Sequence, residues 1–180
     1  NTMFKLQVGW FFLRASVNGD DYPEIPLSPV QALAIEDAQA ALRYVRENSA
    51  AWQVREDSIG ILGFSAGGAV ATGAAMRGKG PSRPDFIASI YGVPDTAGVP
   101  ESAPPLLVVA TEDDPVIPMQ LGEDLHASWL DAGYSRTLLR YPDGGHGFGM
   151  QEKNASSDHW IEEFYRWLLL VTNPERGEEV

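Results

Sequence analysis

The chain contains no cysteine, which removes disulfide bridges, cysteine metal ligands and a thiol nucleophile from consideration. Histidine is scarce: His126, His146 and His159 are the only three among 180 residues. No His-Glu-x-x-His pair or comparable ligand cluster occurs, so no metal is expected. Basic residues are also few, with 13 Lys and Arg against 25 Asp and Glu and a net charge of −12. A surface of that sign repels phosphate, which argues against nucleic acid and against anionic lipid; its meaning is solubility. No apolar run approaches the roughly 18 residues that a membrane-spanning helix requires. The longest stretch near the N-terminus, "VGWFFL", runs at once into Arg14 and polar residues and reads as a strand rather than a signal peptide. A cytoplasmic location is favoured, while a secreted one stays open for a chain that begins at Asn1.

What is present is an ordinary globular composition, 44% hydrophobic and 21% charged, in a length suited to one domain with its own core. Strand-like and helix-like stretches alternate along it. Leu6 to Ala15 reads as a first strand. Ser28, Pro29 and Gln31 read as a helix start, with Ser28 as cap and Gln31 closing a capping box. Val30, Ala34, Ala38, Ala41, Leu42 and Val45 then recur at helical spacing to about Asn48. "SIGILGF" is a short apolar run, as a strand buried on both faces requires. The small-residue stretch "AGGAVATGAAM" predicts a helix, "FIASIY" and "PLLVVA" predict strands, and Pro118 to Ala132 predicts a helix. "SRTLLRY" alternates like a strand. Ser157 to Val171 predicts a last helix whose Trp160, Ile161, Phe164, Trp167 and Leu168 form a core-facing stripe. "NPERGEEV" reads as a polar tail. The expectation is a single α/β domain spanning 1–180, a mostly parallel sheet with helices on both faces.

In such a sheet, ligands bind at the carboxyl ends of the strands, and the chemically capable residues fall there. Ser65 follows "IGILGF", Asp113 and Asp114 follow "PLLVVA", and His146 follows "SRTLLRY". A serine hydroxyl becomes a useful nucleophile when a histidine accepts its proton and a carboxylate holds that histidine in the right tautomer. The order Ser, Asp, His, with the serine in Gly63-Phe64-Ser65-Ala66-Gly67, matches the nucleophile elbow of α/β-hydrolases. The N–H of Ala66, at the start of the next helix, is the expected oxyanion donor. Either aspartate could supply the carboxylate, the other capping the loop. His126 and His159 are read as surface or packing residues, and Asn154-Ala155-Ser156 is a glycosylation pattern too common to carry weight.

"GFSAGG", "TEDDPVIP" and "YPDGGHGFGM" resemble the esterase branch of the α/β-hydrolase superfamily. The likeness is nearest to acetyl-xylan-esterase-like and feruloyl-esterase-like carboxylesterases, with dienelactone hydrolases as more distant kin, and covers about residues 10 to 170. "IEDAQAALRYVRENSAAW" and "HWIEEFYRWL" share in it. The resemblance implies Ser65 as nucleophile and His146 as base. It selects Asp114 over Asp113, because the family's acid stands directly before a Pro-Val-x-Pro-like turn. The implied reaction is hydrolysis of short-chain carboxylic esters, acetyl groups on sugars among them, without cofactor or metal.

One family element is missing. The glycine-rich segment that supplies a second oxyanion N–H is absent from the 64 residues before Ser65, although Tyr22-Pro23 and the helix of Asp37 fit the family's next segment. The domain is therefore read as shortened at its N-terminus, with "QVGW" near Gly9 and Trp10 as a substitute donor. Loss of one oxyanion donor costs about 10²–10³ in turnover, or ~2.7–4 kcal/mol. A shortened sheet also exposes an edge, which favours a homo-oligomer. About a dozen residues separate "FIASIY" from "PLLVVA", too few for a lid domain, so an open site for small or extended esters is expected. Two other readings stay open: a degenerate hydrolase scaffold that serves as a binding module, and a serine peptidase domain.

Overall fold

A computed structural model describes residues 29–95 and 97–173. The strand expected at Leu6 to Ala15, the Ser28 cap, Tyr22-Pro23, the substitute donors Gly9 and Trp10 and the tail beyond Asn173 lie outside the described residues.

Helix α1 (Pro29–Glu47) and the short α2 (Ser49–Trp52) precede β1 (Ile61–Phe64), α3 (Ala66–Arg77) and β2 (Ile87–Ile90). After these come β3 (Leu106–Thr111), α4 (Met119–Asp131), β4 (Arg136–Tyr141) and α5 (Trp160–Thr172). The four strands and helices α1, α3 and α4 occur where their local patterns predict them, whereas the short α2 is not anticipated by the pattern that ends near Asn48. The strands form one parallel sheet in the order β1-β2-β3-β4, with Ile61 opposite Ile87, Ile87 opposite Leu106 and Leu106 opposite Arg136. All four therefore end at one rim.

Side chains alternate across the sheet, and the two faces pack separately. Ile87, Leu106 and Val108 meet Ala75 of α3 and Leu125 and Trp129 of α4. Ala88, Ile90, Leu107 and Val109 meet Trp160 and Trp167 of α5. Trp129, fully buried, donates its indole N–H to the Pro104 carbonyl at 2.9 Å, so its polar atom is satisfied.

The small residues of α3 have a packing reason. Ala71, Thr72, Ala74 and Ala75 are fully buried, because α3 lies between the sheet and α1. The stripe that α1 turns toward it follows the sequence expectation at Ala38, Leu42 and Val45 and departs from it at the start of the helix. Ile35 and Leu42 are buried, with Ala38 and Val45 packed alongside, whereas Val30 is 68% exposed. The helix is thus rotated by about one position at its start. Gln31, expected to close a capping box, donates its side-chain amide to Asp95 at 3.3 Å.

The last helix begins later than predicted. Ser156–His159 form a 3-10 turn, and α5 starts at Trp160. Its expected stripe is the packed face: Trp160 and Trp167 are buried, and Ile161, Phe164 and Leu168 lie against the same core. Between β2 and β3, the described residues hold no helix. Among the described residues, no helix is long and apolar enough to cross a membrane.

Candidate active site

The turn between β1 and α3 is the sharpest feature of the rim. Ser65 has φ 51° and ψ −120°, a conformation L-residues rarely adopt. Its backbone is held on both sides: its N–H donates to the Ile90 carbonyl at 3.1 Å. Its carbonyl accepts from Gly68 at 2.9 Å and Val93 at 3.3 Å. Strand and helix approach so closely here that a Cβ on Gly63 would stand 1.9 Å from the Gly67 carbonyl oxygen. Only glycine fits. Gly63→Ala is expected to lower the free energy of unfolding in urea by roughly 3 kcal/mol, since backbone rather than a flexible side chain must yield.

Ser65 Oγ lies 2.8 Å from His146 Nε2, and His146 Nδ1 lies 2.8 Å from Asp114 Oδ2. Three loops from three strands thus place their side chains on one line of hydrogen bonds. The Asp114 side chain is 2% exposed and that of His146 18%. Asp114 is oriented by its own turn, with Oδ1 accepting the N–H groups of Val116 at 2.8 Å and Ile117 at 2.9 Å. Pro115 has no N–H to compete. That arrangement leaves Oδ2 for the imidazole.

Asp113, the adjacent candidate, is used differently. Its carboxylate accepts the backbone N–H of Gly145 at 2.7 Å and of Gly144 at 3.2 Å. It therefore fastens the loop that carries His146. Thr111 adds a bond from its hydroxyl to the Gly145 carbonyl at 3.1 Å. The loop requires such anchors, because Gly144, Gly145, Gly147 and Gly149 all have positive φ and such residues are costly to immobilise.

The Gly145 N–H, chiefly, holds the Asp113 carboxyl below the ordinary carboxylate range, against a smaller opposing effect of burial. A carboxylate whose folded-state value is depressed stabilises the fold above its unfolded value, and the contribution is lost as pH falls through the folded value. Hydrogen-exchange protection factors of the Gly144 and Gly145 amides are accordingly expected to hold at neutral pH. They should fall below the normal carboxylate range, near pH 4 and lower. Unchanged protection there would remove Asp113 as the anchor.

Ala66 is the first residue of α3 and exposed, so its N–H belongs to the helix-end donors that lack an intrahelical acceptor. His126 is half-buried on α4, where burial first and Arg136 second lower its pKa. His159 is exposed beside Glu162. The residues that sequence reasoning missed line the back of the site. Tyr91 and Phe148 are buried and packed on each other, and Tyr91 also packs on His146. Both resemble ordinary core aromatics in the sequence, and no local signal distinguishes them. A cleft of about 680 Å³ beside this wall is lined by residues of the 148–162 segment and includes none of Ser65, Asp114 and His146.

A model of the dienelactone hydrolase family matches residues 26–168. An acetylxylan esterase of Xylanibacter ruminicola is 22% identical over 178 aligned positions, which cover 81% of this chain and 37% of that protein. The chain thus spans well under half of that curated relative. Among solved structures, an acetyl ester-xyloside bifunctional hydrolase of Caldicellulosiruptor lactoaceticus superposes with a TM-score of 0.70 at 24% identity. That match covers 77% of this chain and 65% of the other. A carboxylesterase of Lactobacillus plantarum gives a TM-score of 0.67 at 20% identity, covering 85% and 71%. These likenesses show the α/β-hydrolase fold.

Proposed function

The chain belongs to the dienelactone hydrolase family, and from that membership we propose that it is a serine esterase that cleaves short-chain carboxylic esters, acetyl esters of carbohydrates first among them. The observation that carries this reading is the unbroken line from Ser65 Oγ through His146 to Asp114, with both contacts at 2.8 Å. Ser65 attacks the ester carbonyl while His146 Nε2 takes its proton. Asp114 holds the imidazole with Nδ1 protonated and stabilises the cation that forms. The Ala66 N–H, at the positive end of α3, binds the oxygen on which negative charge develops. His146 then gives the proton to the departing alcohol, and an acyl group remains on Ser65. Water, deprotonated by the same nitrogen, attacks that acyl group; the carboxylic acid leaves and Ser65 regains its proton.

Acetyl groups are favoured for two reasons. The acetylxylan esterase and the acetyl ester-xyloside hydrolase are both named for acetyl substrates. In addition, the described part of the β2–β3 connection holds no helix that could roof the rim and enclose a long acyl chain. The test combines a fluorophosphonate probe, with peptide mapping of the adduct, and hydrolysis of p-nitrophenyl acetate, p-nitrophenyl butyrate and acetylated xylo-oligosaccharides. The expected result is one adduct, on Ser65, with acetate cleaved faster than butyrate. A folded chain that takes no adduct and turns over none of these esters would leave a binding module built on a hydrolase scaffold.

A further inference from the structure

Tyr91 stands directly after β2, between the two backbone groups that grip the nucleophile: Ile90, whose carbonyl accepts the Ser65 N–H, and Val93, whose N–H donates to the Ser65 carbonyl. Its own φ is 38°, in the left-handed region that a bulky residue avoids. That conformation is maintained from both ends. The Tyr91 N–H continues the sheet by donating to the Val109 carbonyl at 2.7 Å. Downstream, Asp95 ties the segment to α3: its N–H donates to Thr72 Oγ1 at 2.8 Å and its carboxylate pairs with Arg77 at 2.7 Å. The ring so fixed packs edge-on against His146, with centroids 5.2 Å apart and planes at 70°. Behind it lie Phe148 at 4.5 Å and Phe64 at 5.7 Å, and Trp160 packs in turn on both of these. Trp160 also donates its indole N–H to the Gly149 carbonyl at 2.7 Å, which closes the His146 loop onto the same wall.

From this geometry we propose that Tyr91 is a positioning residue that couples the nucleophile to its base. Its backbone belongs to the clamp on Ser65, and its ring is the wall that keeps the His146 imidazole between Ser65 and Asp114. Asp114 and Ser65 restrain the two ring nitrogens, and Tyr91 restrains rotation about the axis that joins them. An unusual backbone conformation persists at a functional site when surrounding contacts over-determine it, and the contacts of Tyr91 do so. The role assigned here lies in the flat ring rather than in the hydroxyl, which accepts a hydrogen bond from the Gly149 backbone. The inference rests on the esterase reading for its kinetic consequence, but the placement of the imidazole can be observed without turnover.

The experiment compares the full chain with Tyr91→Phe and Tyr91→Leu. It measures kcat and KM on p-nitrophenyl acetate, the NMR signal of the His146 Nδ1 proton facing Asp114, which is expected to be sharp in the wild type, and thermal unfolding. Tyr91→Leu fills the core without presenting a ring to the imidazole. It is expected to lower kcat about 10- to 100-fold, as a slightly misplaced catalytic group does, with KM within about twofold of wild type. Its Nδ1 proton signal should broaden into exchange with water. Tyr91→Phe should restore both properties. A folded Tyr91→Leu with wild-type kcat and a sharp Nδ1 signal overturns the proposal. So does a Tyr91→Phe as impaired as the leucine variant, which would shift the role to the hydroxyl. If Tyr91→Leu does not fold, Tyr91→Met fills the same space flexibly. Should neither fold while the phenylalanine variant does, Tyr91 is a core residue only and the proposal falls. A wild-type chain without turnover or fluorophosphonate adduct defeats the esterase reading, and the NMR comparison still decides the positioning role.

Discussion

Ser65→Ala is expected to reduce turnover of p-nitrophenyl acetate by about 10⁶, equivalent to roughly 8 kcal/mol of barrier. The variant loses the atom that forms the acyl-enzyme, and with it the contact to His146 Nε2, and keeps the backbone bonds of the turn. Alanine at φ 51° carries the same backbone strain as serine, and the bonds from Gly68 and Val93 to the residue-65 carbonyl do not involve the side chain. Thermal unfolding should therefore shift little, which separates lost chemistry from lost structure. Residual rate over water would come from the Ala66 N–H and from substrate binding alone. Comparable turnover by the variant and the parent chain would mean that another group performs the hydrolysis.

Asp114→Asn is expected to lower kcat by about 10⁴ with the fold intact. The asparagine oxygen can still accept from Val116 and Ile117, as Asp114 Oδ1 does at 2.8 and 2.9 Å. Its amide group then faces His146 Nδ1 as a donor. The imidazole must place its proton on Nε2, where it can no longer take one from Ser65. Asp113→Asn makes the informative contrast. Asp113 accepts from Gly144 and Gly145 through two separate oxygens, so an amide keeps one of those bonds and loses the other. The base is loosened without changing tautomer, and the rate should fall no more than about tenfold. Measured side by side at neutral pH, the two variants assign the carboxylates. A larger loss at Asp113 would reverse the assignment, and equal losses would refute the division of roles between the two carboxylates.

Sequence reasoning located the four strands and the four long helices, because a buried parallel strand and an amphipathic helix each announce themselves through local periodicity, whereas the four-residue α2 is too short to do so. It also isolated Ser65, since the glycines around it answer a local steric demand: the turn has no space for a Cβ at Gly63. Along α1, Ala38, Leu42 and Val45 of the expected stripe are packed, and the stripe departs from expectation at its start. Val30 and Ile35 are equally apolar in the sequence, and only the position of α3 decides that Ile35 is buried. Asp113 and Asp114 are indistinguishable by residue type. What separates them is the direction in which consecutive side chains leave the backbone after β3, one toward the glycine loop and one toward the imidazole.

The sequence alone determined the alternation of elements, the parallel sheet that follows from it, and the rim at which serine, aspartate and histidine gather. Those properties depend on residues near one another in the chain, through backbone sterics and hydrophobic periodicity. Tertiary structure decided the use made of Asp113 as an anchor of the glycine loop, the packing of Ile35 in place of Val30 at the start of α1, and that Tyr91 stands against His146 from 55 positions upstream, 146 − 91 in the numbering of the chain. Each of these is a contact between segments distant in sequence, selected by how the helices and loops settle on the sheet, and no local pattern encodes it.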